Sequence, residues 1–141
     1  MSWYERVPKN ALENIKFRRF ILASVNSSAA RRKALMEACA EDILFYVNTF
    51  VWTFDPRTPE SAIPFITYRF QDEALLEIQS AIKDQKSLLM QKSRDMGASW
   101  MACIAVDHQC QFERGKRFLM FSYVADLVDK IGSPKSLFWK I

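Results

Sequence analysis

Apolar residues recur at helical spacing through the first third of the chain. Leu12, Ile15, Phe17, Phe20, Ile21 and Leu22 predict an amphipathic helix over 11–25, since a 3.6-residue period returns such positions to neighbouring faces. Asn26-Ser27-Ser28 interrupts that period and offers side-chain oxygens to cap a second helix near Ala29. Helical spacing then runs through "AARRKALMEACAEDILFYVNTFVWTF" to about Phe50, with a break expected near Asp42. Asp55-Pro56-Arg57-Thr58-Pro59 closes this part, because two prolines so close cannot continue a helix. An all-helical segment is therefore expected over residues 1–62.

From residue 63 the pattern changes. Pro64 to Thr67 reads as extended, and Phe70 to Lys83 as a helix with Ala74, Leu75, Ile78 and Ile82 on one side. "SLLMQ" (87–91) has the length and apolar character of a buried strand. A polar loop (92–97) follows, and Ala98 to Phe112 reads as a helix. Arg114-Gly115-Lys116 turns the chain into a second apolar run, "RFLMFS" (117–122), then a helix over 125–131. A turn at Gly132-Ser133-Pro134 precedes a last short helix. Strand, loop, helix, strand, helix implies right-handed crossovers and a parallel sheet, so the expected class for 63–141 is α/β.

Composition narrows the field. The 141 residues are 50% hydrophobic and 26% charged, which excludes a disordered chain and suffices for a real core. No apolar stretch is long enough to span a bilayer and no signal-peptide core precedes the first helix, so a cytoplasmic protein is expected. Cys39, Cys103 and Cys110 form no CxxC pair. Cys103 and Cys110 share roughly one helix face, where small buried residues are expected. The single His108 reads as an ordinary helix residue. A net charge of +4 permits contact with nucleic acid. Its short clusters (16–19, 31–33 and 114–117) read more simply as solvated helix faces or element ends.

The candidate chemistry lies in "QKSRDMGASW" (91–100). A phosphate cradle needs a strand that delivers a tight loop, inward N–H groups and a helix N-terminus facing the anion. Set against G-x-x-x-x-G-K-[ST], Gly97 takes the second glycine and Ser99 the magnesium-binding hydroxyl. Lys92 stands at the first glycine and Ala98 at the lysine, so positive charge sits at the loop entrance on Lys92 and Arg94. On pattern alone, an ordinary turn in which Gly97 permits a difficult backbone fits as well.

The same stretch resembles the deviant Walker A loop of large terminase subunits, the ATP-driven DNA-packaging motors of tailed bacteriophages and prophages. "ACAEDILFYVNTFVWTFDPR" (38–57) is similar to the helical segment before that family's ATPase core, with its aromatic-Asn-x-Phe and Asp-Pro-Arg pattern. "ITYRFQDEALLEI" (66–78) resembles its adenine-recognition segment, and "DKIGSPKSLFWKI" (129–141) the stretch after its second core strand. The resemblance implies a P-loop (RecA-like) parallel-sheet ATPase domain that uses ATP and Mg²⁺. Gln71 would hydrogen-bond adenine, with Tyr68 or Phe70 against the base. Residues Lys92, Ser93, Arg94, Asp95, Met96, Gly97, Ala98 and Ser99 would bind the phosphates, Lys92 or Arg94 giving the main contact. The Ser99 hydroxyl would reach the metal. Implied partners are double-stranded viral DNA, the portal protein and the small terminase subunit, with a homo-oligomeric ring for the full-length protein.

Phosphoryl transfer also needs a carboxylate for the metal and another to position water. Only "ACIAVD" (to Asp107) and "LMFSYVAD" (to Asp126) are apolar runs ending in an acid, and neither ends in a pair. The family's nuclease domain has no counterpart, and the apolar ending Phe138-Trp139-Lys140-Ile141 reads as a break inside a domain. The expectation is therefore the amino-terminal part of a truncated large terminase, inactive alone. It would be a gene remnant, a split product or a clipped chain. An adaptor or regulatory remnant that binds partners without nucleotide is the alternative. A self-sufficient small P-loop kinase is disfavoured by the absence of lysine beside Ser99 and of an acidic strand.

Overall fold

In the computed structural model, which describes residues 2–55, 57 and 62–140, each early helix starts where a side chain can cap it. Helix α1 (Ala11–Asn26) begins at Asn10, whose side chain accepts from the N–H groups of Leu12 and Glu13. Helix α2 (Ala29–Glu41) begins at Ser28, which accepts from Arg31 N. The interruption expected near Asp42 is real. Asp42 leaves helical geometry, ends α2 and caps α3 (Ile43–Phe50) through Phe45 N at 3.0 Å. Such caps satisfy N–H groups that a helix start otherwise leaves without partners. Seven of the eight residues of α3 are buried, so it forms the centre of the first core.

Two features of this region depart from expectation. The segment is not all helical: β1 (Trp52–Phe54) pairs antiparallel with β2 (Ala62–Pro64), Thr53 opposite Ile63. Pro56, Thr58 and Pro59, expected to end the helical run, lie outside the described residues, and α3 has already ended at Phe50. Nor is the cluster 16–19 wholly solvated, because Arg18 is 3% exposed. It donates to Asn14 Oδ1 (2.6 Å), Val51 O (2.8 Å) and Asn48 O (2.9 Å). Asn48, the asparagine of the aromatic-Asn-x-Phe pattern, is also buried. Its Oδ1 accepts from Thr67 N at 2.9 Å, and Thr67 in turn receives Lys9 Nζ. This network ties α1, α3 and the extended residues after β2 together.

The chain divides into two compact units, the first ending at Tyr68 and the second starting at Arg69. In the second, α4 (Arg69–Asp84) packs on α5 (Ala98–Phe112). Its core holds Leu75 of α4 with Met101, Cys103, Ile104 and Ala105 of α5. His108 is buried in α5 against the Phe112 ring, 4.8 Å between centroids. Cys103 is buried as expected, whereas Cys110 is exposed. Helix α6 is a single turn (Ala125–Val128) rather than the full 125–131, and a 3-10 turn (Phe138–Lys140) follows. That turn packs on α5, Trp139 meeting Trp100 edge-on at 6.3 Å.

Among the described residues the hairpin is the only sheet, so this is a mostly helical chain with one small antiparallel ribbon. The strands expected at 87–91 and 117–122 are not formed: both runs lie outside regular structure, with Leu89 95% and Leu119 81% exposed. Parallel strands are stable when neighbours pair on both edges and helices cover both faces. Two isolated apolar runs meet neither condition here. No described helix is long and apolar enough to cross a membrane.

Candidate nucleotide-binding loop

The loop 92–97 reverses the chain just before α5. Asp95 (φ 59°) and Gly97 (φ 77°, ψ 13°) both adopt left-handed backbone, with Met96 between them. A left-handed residue with a Cβ costs about 1–2 kcal/mol, aspartate being better tolerated than most. Gly97 is also the N-cap of α5, and with no side chain it places no oxygen over the first turn. The first bond of the helix runs from Met101 N to Gly97 O at 2.9 Å. Among the described residues the amides of Ala98 and Ser99 donate to no acceptor.

Charge accompanies this open helix end. Lys92 and Arg94 are exposed and, among the described residues, neither makes an ion pair. Asp95 is the one carboxylate of the loop, so a positive excess remains beside the partial positive charge of the helix N-terminus. N–H groups without acceptors among the described residues and two exposed cations suit a polyanion.

Gln71, expected to read adenine, is drawn into the same place. It lies in the first turn of α4, is 6% exposed, and donates from Nε2 to Met96 O at 3.2 Å. The bond pins the loop at the residue between its two left-handed positions, a positioning role that the sequence does not display. The aromatics are placed differently. Phe70 is exposed beside Gln71 on α4, and Tyr68 is the exposed last residue of the first unit.

Ser93 and Ser99 are exposed, the latter in the first turn of α5, where its hydroxyl can join a magnesium ion otherwise held by phosphate oxygens and water. Among the described residues no three His, Cys, Asp or Glu groups cluster as a metal site. The two weaker acid candidates have local partners: Asp107 accepts from Gln111 at 2.8 Å, and Asp126 pairs with Lys130 at 2.7 Å. Sequence reading missed one cation. The 3-10 turn brings Lys140 Nζ to 5.7 Å from the Trp100 ring, at the same end of α5. Burial lowers its pKa below the usual lysine value, and only the apolar "LFWK" run hints at that docking. Compared with known proteins, the chain matches no family model, no curated protein and no solved structure.

Proposed function

We propose that the chain is the amino-terminal, nucleotide-binding part of a large-terminase-type DNA-packaging ATPase. The observation that supports this best is the loop 92–97. A left-handed glycine opens α5, two amides of that helix have no acceptor among the described residues, and Lys92 and Arg94 stand beside them without ion pairs. Lys92 and Arg94 neutralise phosphate charge, the amides of the loop and of Ala98 and Ser99 orient the phosphates, and Gln71 holds Met96 in register. A bound magnesium ion would supply charge neutralisation to the phosphates, and the Ser99 hydroxyl would be the group of this chain that helps hold it. On this reading 87–91 and 117–122 pair as strands when the rest of a P-loop (RecA-like) parallel sheet is present. The motor acts in the host cytoplasm on double-stranded viral DNA, with the portal protein, the small subunit and a ring of further copies. Hydrolysis needs acids that residues 1–141 do not offer, so this chain binds and does not turn over.

Titration calorimetry of the whole chain with Mg-ATP tests the reading. Weak saturable binding is expected, and Lys92→Ala or Arg94→Ala should weaken it by about tenfold each, the worth of a charge-assisted contact. Absence of binding at millimolar nucleotide, or binding indifferent to both substitutions, would sink it. The exposed run of Leu119, Phe121, Tyr123 and Val124 favours the second reading, an adaptor that binds a partner without nucleotide.

A further inference from the structure

The first unit contains a cavity that the nucleotide reading does not use. It has a volume of about 350 Å³ and lies against α1, α2, α3 and the turn at Trp3. Phe45 and Ala38, both buried, are part of its lining. Phe17, Ile21, Leu35 and Val25 form apolar walls. Among the described residues no acidic group lines it, and the charged ones that do are Arg6 and Arg31.

Both arginines are exposed, so they belong to its open side. Neither makes an ion pair among the described residues. The Arg6 guanidinium is held 5.0 Å from the Trp3 ring centroid, while Arg31 Nη1 reaches Ser24 O at 3.3 Å. Each therefore keeps N–H donors available and is partly ordered before any ligand arrives, which lowers the entropic cost of binding. An apolar cavity of this size with a few convergent polar groups is the usual form of a small-molecule site.

We infer that this cavity binds an amphipathic monocarboxylate, its tail among Phe17, Ile21 and Phe45 and its head between Arg6 and Arg31. Guanidinium groups match a carboxylate as a planar fork, and apolar walls reward an alkyl tail. At roughly 30 Å³ for a group the size of a water molecule, the volume holds a tail of about ten carbons. A free alcohol of equal length gains the walls but not the arginines. A shorter acid gains the arginines but leaves the cavity part-filled.

Equilibrium dialysis of the whole chain against decanoate, decanol and hexanoate tests the assignment. Decanoate should bind saturably and about tenfold or more tighter than either control, from the charge-assisted bonds and from the added methylenes respectively. Arg6→Ala and Arg31→Ala should each weaken decanoate severalfold and leave decanol unchanged. Ala34→Phe, which fills the cavity, should abolish both. Unaltered chain provides a check free of folding effects: decanoate should shift the methyl resonances of Ala34 and Ala38 and spare those of Ala102 and Ala105. Equal binding of decanol and decanoate, indifference to both arginine substitutions, or methyl shifts confined to α5 would each overturn the assignment.

Discussion

Arg18 shows how far a single side chain can depart from what its neighbours suggest. It sits in a basic cluster, yet its guanidinium is buried, over the Trp52 ring at 5.2 Å and bonded to one side-chain and two backbone oxygens. No carboxylate is among these partners, so the cost of burying the charge is offset by hydrogen bonds alone. Burial pushes its pKa below the usual arginine value, down to about 10. A base whose pKa falls on folding penalises the fold while it is charged in both states. That penalty is complete below the folded value and is relieved only as pH climbs from about 10 toward the value of an unburied arginine. Arg18 should therefore contribute no pH dependence between pH 6 and 8. Arg18→Ala removes three hydrogen bonds and leaves Asn14 Oδ1 without its donor, while Asn48 O still accepts from Asn14 Nδ2 and Val51 O from Phe65 N, at an expected cost of about 1–3 kcal/mol in urea denaturation. Arg18→Lys should recover only part, since one ammonium cannot span three acceptors that a planar fork reaches. A loss below about 0.5 kcal/mol for Arg18→Ala would place this residue with ordinary surface positions.

Among elements, those with chemical punctuation were legible and those that depend on distant partners were not. Helix α5 spans Ala98–Phe112 as its sequence predicts, because Gly97 before it and the break after Phe112 are local facts. Asp42 divides α2 from α3 for an equally local reason: its carboxylate caps Phe45 N and also receives Tyr4 N at 3.1 Å. Asp42→Ala should cost about 1–2 kcal/mol, more than an ordinary cap, because the bonds from Phe45 N, Tyr4 N and Ser2 Oγ all go. Asp42→Asn should lose less, since an amide oxygen still accepts. Thermal unfolding followed by circular dichroism checks the order, and equal losses for the two variants would contradict the capping account. The hairpin was illegible because strands of three residues show no period, and its register is set by partners eight to twelve positions apart. The runs 87–91 and 117–122 mislead in the opposite way: apolar content suits a strand, but pairing is a property of the neighbours. The candidate loop was legible in its glycine and cations. Its tie to Gln71 was not, because that bond joins residues 25 positions apart.

At the scale of the whole molecule each unit has its own core, but they differ in what they leave outside. Buried apolar side chains of the first unit centre on α3, whose length is almost fully covered. The second unit covers α5 and leaves apolar residues along the chain that follows. Leu119, Phe121, Tyr123 and Val124 are exposed, Tyr123 at 88%, while Phe118 and Met120 are half-buried. An exposed apolar run of this kind, outside regular structure, offers itself to another chain. It follows that the isolated chain should self-associate at tens of micromolar, a range in which uncovered strand edges aggregate. Leu119→Lys combined with Phe121→Lys should restore a monomer in sedimentation velocity without lowering helix content, because neither side chain belongs to the α5 core. A monomeric parent at about 100 μM would show that these residues are covered within the chain itself. On the proposed nucleotide reading, retention of Mg-ATP binding by the double variant would then separate the loop from the apolar run, since Lys92 and Arg94 would contact phosphate without any pairing of 117–122.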